Sequence, residues 1–200
     1  MSDSIVRTIG ILLFDDVEEL DAVGPWEVLA FWTNEHPEDG WAVTTFSRDG
    51  APVRAAKGLR IVPHHSYASV PALDVLIYPG GQGTRAHLRD AAQLDWVRQQ
   101  RADVELMTSV CTGSLVYAAA GLLAGRPATT HWAALGLLQE LDPSLQPRPD
   151  DRFVDDGNVI TSAGVSAGID MALHLVLRLA GGDRAREVRR EIQYDPQPPV

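Results

Sequence analysis

Leu106-Met107-Thr108-Ser109-Val110-Cys111-Thr112-Gly113-Ser114 starts as an apolar, strand-favouring run and passes directly into Leu115-Val116-Tyr117-Ala118-Ala119-Ala120. A strand that turns abruptly into a helix is the joint of a parallel α/β sheet. The helix carries no charge on any face, so it belongs inside the domain. Cys111, the single cysteine of the chain, stands at this joint and is expected at the bottom of a pocket. Unpaired helix N–H groups and the positive end of the helix dipole favour the thiolate, whereas an ordinary thiol titrates near ~8.5. A lone cysteine in apolar surroundings is also a common small core residue. The small neighbours Ser109, Thr112, Gly113 and Ser114, and a separate Gly-Gly strand end, turn the reading toward a reactive thiol.

Working outward, β-rich runs alternate with segments of helical period, which predicts an α/β domain with a mainly parallel sheet. Strands are expected over residues 8–14, 41–47, 74–78, 104–110, 152–154 and 159–162. Pro25 suits the first turn of a helix reaching about Trp32, and further helices are expected over 91–101 and 167–180, the last stopped by Gly181-Gly182. The run Arg184, Arg186, Arg189 and Arg190 is interleaved with Asp183, Glu187 and Glu191, which reads as a salt-bridged, solvated helix face.

Length and composition bound the function. With 200 residues, 45% of them hydrophobic, the chain suits one domain over 1–200, with 195–200 as an extended proline-rich tail. No apolar stretch approaches a membrane span, and Met1-Ser2-Asp3-Ser4 opens no signal peptide, so a cytoplasmic location is expected. One cysteine excludes an internal disulfide framework and any CxxC pair. The net charge of -10 argues against a nucleic-acid partner. The histidines show no metal-ligand spacing, and no metal is assigned.

Three other segments carry candidate chemistry. Tyr78-Pro79-Gly80-Gly81 ends a strand, and glycines there let backbone N–H groups approach a ligand. If that strand neighbours the one ending at Val110, the N–H groups of Gly81 and Thr112 converge beside the sulfur as a donor pair. Asp21 sits among apolar residues at the end of the acidic stretch 15–21, which suits either a turn or a proton-transfer group. His131, in Ala128-Thr129-Thr130-His131-Trp132, is either a site-orienting or a hydrogen-bonded structural histidine.

Tyr78-Pro79-Gly80-Gly81, Ser109-Val110-Cys111-Thr112-Gly113, Ala128-Thr129-Thr130-His131-Trp132 and Gly164-Val165-Ser166-Ala167-Gly168-Ile169-Asp170 together resemble the DJ-1/PfpI superfamily, from about Ile9 to Pro199. Leu20-Asp21-Ala22-Val23-Gly24-Pro25 and the ending Tyr194-Asp195-Pro196-Gln197-Pro198-Pro199 are similar to its isocyanide hydratase branch. The resemblance implies a flavodoxin-like three-layer sandwich, a homodimer and a nucleophile-elbow cysteine. It implies Cys111 as nucleophile, Asp21 as acidic partner, the N–H groups of Gly81 and Thr112 near the reacting atoms, and Gly80, His131 and Val165 as pocket or supporting residues. The substrate implied is an organic isocyanide, hydrated to an N-substituted formamide with no cofactor.

Departures narrow the branch. Thr112 replaces the histidine that follows the cysteine in protease-like members, and Asp21 replaces the glutamate of the DJ-1 and glyoxalase branches. Ala163 stands where glycine is expected before Gly164-Val165, which implies a less mobile helix bordering the pocket. The alternatives are a sensor related to transcription regulators, whose helix-turn-helix module this chain does not reach by Val200, and an enzyme acting on reactive aldehydes.

Overall fold

Val75-Leu76-Ile77-Tyr78 and Leu106-Met107-Thr108-Ser109-Val110 are buried at every position. Strands of this kind need cover on both faces, which only flanking helices supply. The computed structural model describes residues 6–197. Its elements in chain order are β1 (Arg7–Leu12), α1 (Glu19–Glu35), β2 (Trp41–Ser47), β3 (Val53–Arg54), β4 (Arg60–Ile61), β5 (His65–Ser66), β6 (Val75–Tyr78), α2 (Thr84–His87), α3 (Ala91–Asp103), β7 (Leu106–Val110), α4 (Gly113–Ala119), β8 (Pro127–Ala128), α5 (Leu135–Leu141), β9 (Gln146–Pro147), β10 (Phe153–Asp155), β11 (Val159–Ser162), α6 (Ala167–Ala180) and α7 (Gly182–Glu191).

Seven strands form the main sheet in the order β10-β11-β7-β6-β1-β2-β5. Every pairing in it is parallel except that of β10 with β11. Helices α1, α6 and α7 pack on one another, and α3, α4 and α5 form a second group. The result is the flavodoxin-like sandwich, with helix α4 buried from Gly113 to Ala118 as its uncharged sequence requires. From β1 the chain steps to β2 on one side and then to β6, β7 and β11 on the other. A parallel sheet opens a crevice beyond its carboxyl ends where the strand order reverses, here between β1 and β6. The segments after β1, β6 and β7 all leave the sheet at that end.

The structure changes several expectations. Helix α1 starts at Glu19, so Pro25 lies inside it rather than in its first turn. Proline lacks the N–H that would bond the carbonyl four residues earlier, and that carbonyl belongs to Asp21. Asp21 itself lies in the first turn of α1 and is a helical residue. Five two-residue strands, β3, β4, β5, β8 and β9, were not expected, because two residues carry no readable periodicity. The basic run near the C-terminus does form a salt-bridged helix, with Arg184 bonded to Asp39 and Glu187. Residues 195–197 carry no regular structure, while 198–200 of the expected tail and the opening Met1-Ser2-Asp3-Ser4 lie outside the described residues. Among the described residues no helix is long and apolar enough to cross a membrane.

Gly113, the first residue of α4, is pressed onto β6: a Cβ there would lie 2.1 Å from the Tyr78 carbonyl oxygen. Gly136, within α5, has no such neighbour within 4 Å. Gly113→Ala is expected to lose about 1–3 kcal/mol or more by forced backbone movement. Gly136→Ala is expected to gain about 0.5–1 kcal/mol. Chemical denaturation of the two variants checks both signs.

Candidate active site

Cys111 is held in a left-handed conformation, φ +56°, which a non-glycine residue adopts only when its surroundings impose it. Those surroundings are main-chain and hydroxyl groups. The Cys111 N–H donates to the carbonyls of Ser162 (3.0 Å) and Ala163 (3.1 Å) at the end of β11. Its carbonyl accepts from Thr130 Oγ1 (2.9 Å) and Ser114 Oγ (3.1 Å). The side chain, 5% exposed, lies at the floor of a cavity of about 220 Å³ whose wall includes Glu18, Gly81, Arg85, Thr112, His131 and Val165.

The loop after β6 is zipped to the loop after β1. Glu18 N–H donates to the Gly80 carbonyl (2.9 Å), and Val17 and Gly81 form an antiparallel bridge. Gly81, at φ +123°, can be no other residue without strain, and a Cβ at Gly80 would lie 2.5 Å from Thr112 N and 2.8 Å from Asp21 Oδ2. This closeness lets the Gly80 N–H donate to Asp21 Oδ2 at 2.9 Å. Asp21 is fully buried, and its Oδ1 has no hydrogen-bond partner.

The two central groups titrate away from their ordinary values. Burial pushes the Asp21 carboxyl up to about 7, against the stabilising pull of the Gly80 N–H and the thiol. Burial, with the Asp21 charge beside it, pushes the Cys111 thiol up to about 12. The backbone N–H groups of Thr112 and Val165 pull the thiol the other way and are outweighed. The expected lowering of the thiol pKa is therefore corrected. Helix α4 has only seven residues, and its terminus does not offset desolvation plus a neighbouring carboxylate. At neutral pH the sulfur keeps its proton while Asp21 is about half ionised, and the ionised carboxylate is the group placed to take that proton.

The expected donor pair is also corrected. The Gly81 N–H is occupied by Thr112 Oγ1 at 2.9 Å, so Gly81 positions Thr112 instead of facing the sulfur. The second N–H near the sulfur is that of Val165, a β-branched residue at φ +50°. Nothing in the sequence signals that conformation for valine. His131 lines the cavity but makes no hydrogen bond to Cys111 among the described bonds. Its Nδ1 accepts from Ala133 N–H at 3.2 Å, and its ring occupies the space over Gly164. His131 is thus a wall and capping residue. Arg85 and Glu18 were not singled out from the sequence, since a loop arginine and one of several clustered acids carry no distinguishing pattern.

A carboxyl whose folded-state pKa is raised weakens the fold as pH rises. For Asp21 the cost is absent below about 3.8 and complete above about 7. Asp21→Asn keeps an acceptor for the Gly80 N–H and removes the charge. It is expected to be the more stable protein at pH 8, by up to about 4 kcal/mol, with the advantage fading toward pH 4.5. Urea unfolding across this range measures it.

Comparison with known proteins places the chain among relatives of one family. The DJ-1/PfpI family model matches residues 7–178. Isonitrile hydratase of Pseudomonas putida is 44% identical over 192 residues, covering 96% of this chain and 80% of its own. The HTH-type transcriptional regulator GbdR of Pseudomonas aeruginosa is 31% identical over 94% of this chain, which spans only 51% of that protein. Among solved structures, a ThiJ/PfpI family protein from Pseudomonas syringae superposes with TM-score 0.86 at 34% identity, covering 98% of this chain and 78% of that one. Drosophila melanogaster DJ-1beta gives TM-score 0.82 at 25% identity over 96% of this chain and 100% of that one. With the elbow at Cys111, the glycine-rich end of β6 and a family match spanning both, the chain belongs to the DJ-1/PfpI family.

Proposed function

We propose that this protein hydrates organic isocyanides to N-substituted formamides, with Cys111 as nucleophile and Asp21 as its proton partner. The observation that carries this reading is the buried Asp21 carboxylate beside the thiol, one oxygen held by Gly80 and the other unpartnered. Similarity to the isonitrile hydratase of Pseudomonas putida supports it. An isocyanide carbon accepts a nucleophile and then a proton at the same atom. A thiol sharing its proton with a carboxylate supplies both.

In the proposed sequence the thiol proton passes to Asp21 as sulfur bonds to the terminal carbon of R–N≡C. Asp21 returns that proton to the same carbon, giving the thioimidate R–N=CH–S-Cys111. Water then adds, its hydroxyl to the carbon and its other hydrogen, through Asp21, to nitrogen. The C–S bond breaks, the hydroxyl proton returns to sulfur, and R–NH–CHO leaves. All atoms come from substrate and water, so the stoichiometry asks for no redox cofactor. The N–H groups of Thr112 and Val165 support the sulfur whenever it carries charge.

The expectation is complete loss of formamide from para-substituted phenyl isocyanide in Cys111→Ala, and a 10²–10⁴-fold lower kcat in Asp21→Asn. Because Asp21 must be ionised to take the thiol proton, kcat/KM is expected to rise through about pH 7, and Asp21→Asn to lose that inflection. Full turnover by Cys111→Ala would end the proposal. Methylglyoxal assayed in parallel separates the aldehyde-acting alternative.

We further read the protein as a cytoplasmic homodimer. Val23 on α1, Leu59 in the β3–β4 hairpin and Val62 just after β4 are exposed apolar residues lining one groove together with Trp26. A second copy covers such a face in this reading. Sedimentation is expected to give a dimer, and Val62→Glu a monomer.

A further inference from the structure

The cavity over Cys111 has two formally charged side chains in its wall, and only one is neutralised. Glu18 is ion-paired with Lys57. Arg85 makes no ion pair with any carboxylate among the described residues. Its Nη1 donates to the Gly81 carbonyl (3.2 Å) and to Thr84 Oγ1 (3.1 Å), which anchors the guanidinium to the loop that positions Thr112. Its Nε and Nη2 have no hydrogen-bond partner among the described bonds. Among the described residues Arg54, Arg60, Arg89, Arg101 and Arg148 also make no ion pair, but Arg85 alone of these lines the cavity over Cys111. Arg85 is exposed at the cavity's edge and tethered through Nη1, and a tethered guanidinium in a site wall with donors to spare is an arrangement that recognises a carboxylate.

We propose that Arg85 is a specificity-determining residue that selects small isocyanides carrying a carboxylate, holding the anionic end so that the isocyano carbon meets Cys111. A cavity of about 220 Å³ has room for a small molecule of this kind. The assignment rests on the hydratase reading for the fate of the substrate, while the recognition of charge rests on Arg85 alone. Glu18 is compensated by Lys57 and faces the same cavity, so the cationic end of the site is the Arg85 side.

The test compares isocyanoacetate with its methyl ester, two isocyanides that differ at the carboxylate. For the native protein, kcat/KM for the acid is expected to exceed that for the ester by about tenfold, equivalent to about 1.4 kcal/mol. In Arg85→Gln the ratio should fall to near one, chiefly through a higher KM for the acid, and Arg85→Lys should restore part of it. Arg89→Gln, an exposed arginine outside the cavity wall, is the control in which the ratio stays as in the native protein. A native ratio near one, or a ratio unchanged by Arg85→Gln, overturns the Arg85 assignment and leaves the hydratase reading standing. Turnover of neither compound overturns the Arg85 assignment, and turnover of para-substituted phenyl isocyanide by the same preparation decides the hydratase reading separately. Circular dichroism and thermal midpoints of the variants separate loss of recognition from loss of fold.

Discussion

Gly80 occupies a space with no room for a side chain, and the whole site is organised around that gap. The end of β6 must pass between the backbone of Thr112 on one side and the carboxylate of Asp21 on the other, and only a bare Cα fits. Because it fits, three segments far apart in sequence share one hydrogen-bonded knot: Asp21 from α1, Gly80-Gly81 from the end of β6, and Thr112 from the elbow. The parallel sheet brings their strands side by side, and the switch in strand order leaves their ends uncovered. Fold and site are therefore consequences of the same packing problem.

Within the knot, desolvation outweighs the helix terminus. A thiol at the start of a long, exposed helix would ionise readily, but Cys111 precedes a short buried helix and faces a carboxylate. Both groups are held toward their protonated forms, and neither is a strong acid at rest. Reactivity then depends on moving one proton over a short path as the new bond forms. A free anion waiting in the pocket is not required. The arrangement suits a substrate atom that needs both a sulfur and a proton, and it keeps the thiol subdued toward casual electrophiles.

Much of this was legible in the sequence. The abrupt change at Val110-Cys111-Thr112 located the elbow, and the uncharged run after it foretold the buried α4. The limits of β2, β11 and α6 agree with the structure because each is a long or well-bounded periodic run. Asp21 was legible as a partly buried acid, though its helical setting was not, because Pro25 reads locally as a helix start. The pKa of Cys111 was misjudged for a physical reason: sequence shows the helix terminus, whereas desolvation and the Asp21 charge arise only from packing. Val165 was expected only as a pocket or supporting residue and not as an N–H donor to the sulfur, and Arg85 escaped notice altogether. One acts through a backbone conformation unusual for valine, and the other through the absence of a partner.

The elbow itself is secured almost wholly by the peptide chain. The N–H of Cys111 is gripped by the carbonyls of Ser162, the last residue of β11, and of Ala163 just after it, and its own carbonyl by two hydroxyls, so no bond in the clamp involves the sulfur. Such a mount is indifferent to what it displays. The cavity lining can be exchanged residue by residue while the displayed position stays fixed in space, which makes the fold a reusable socket: chemistry diverges at its rim before the frame has to change.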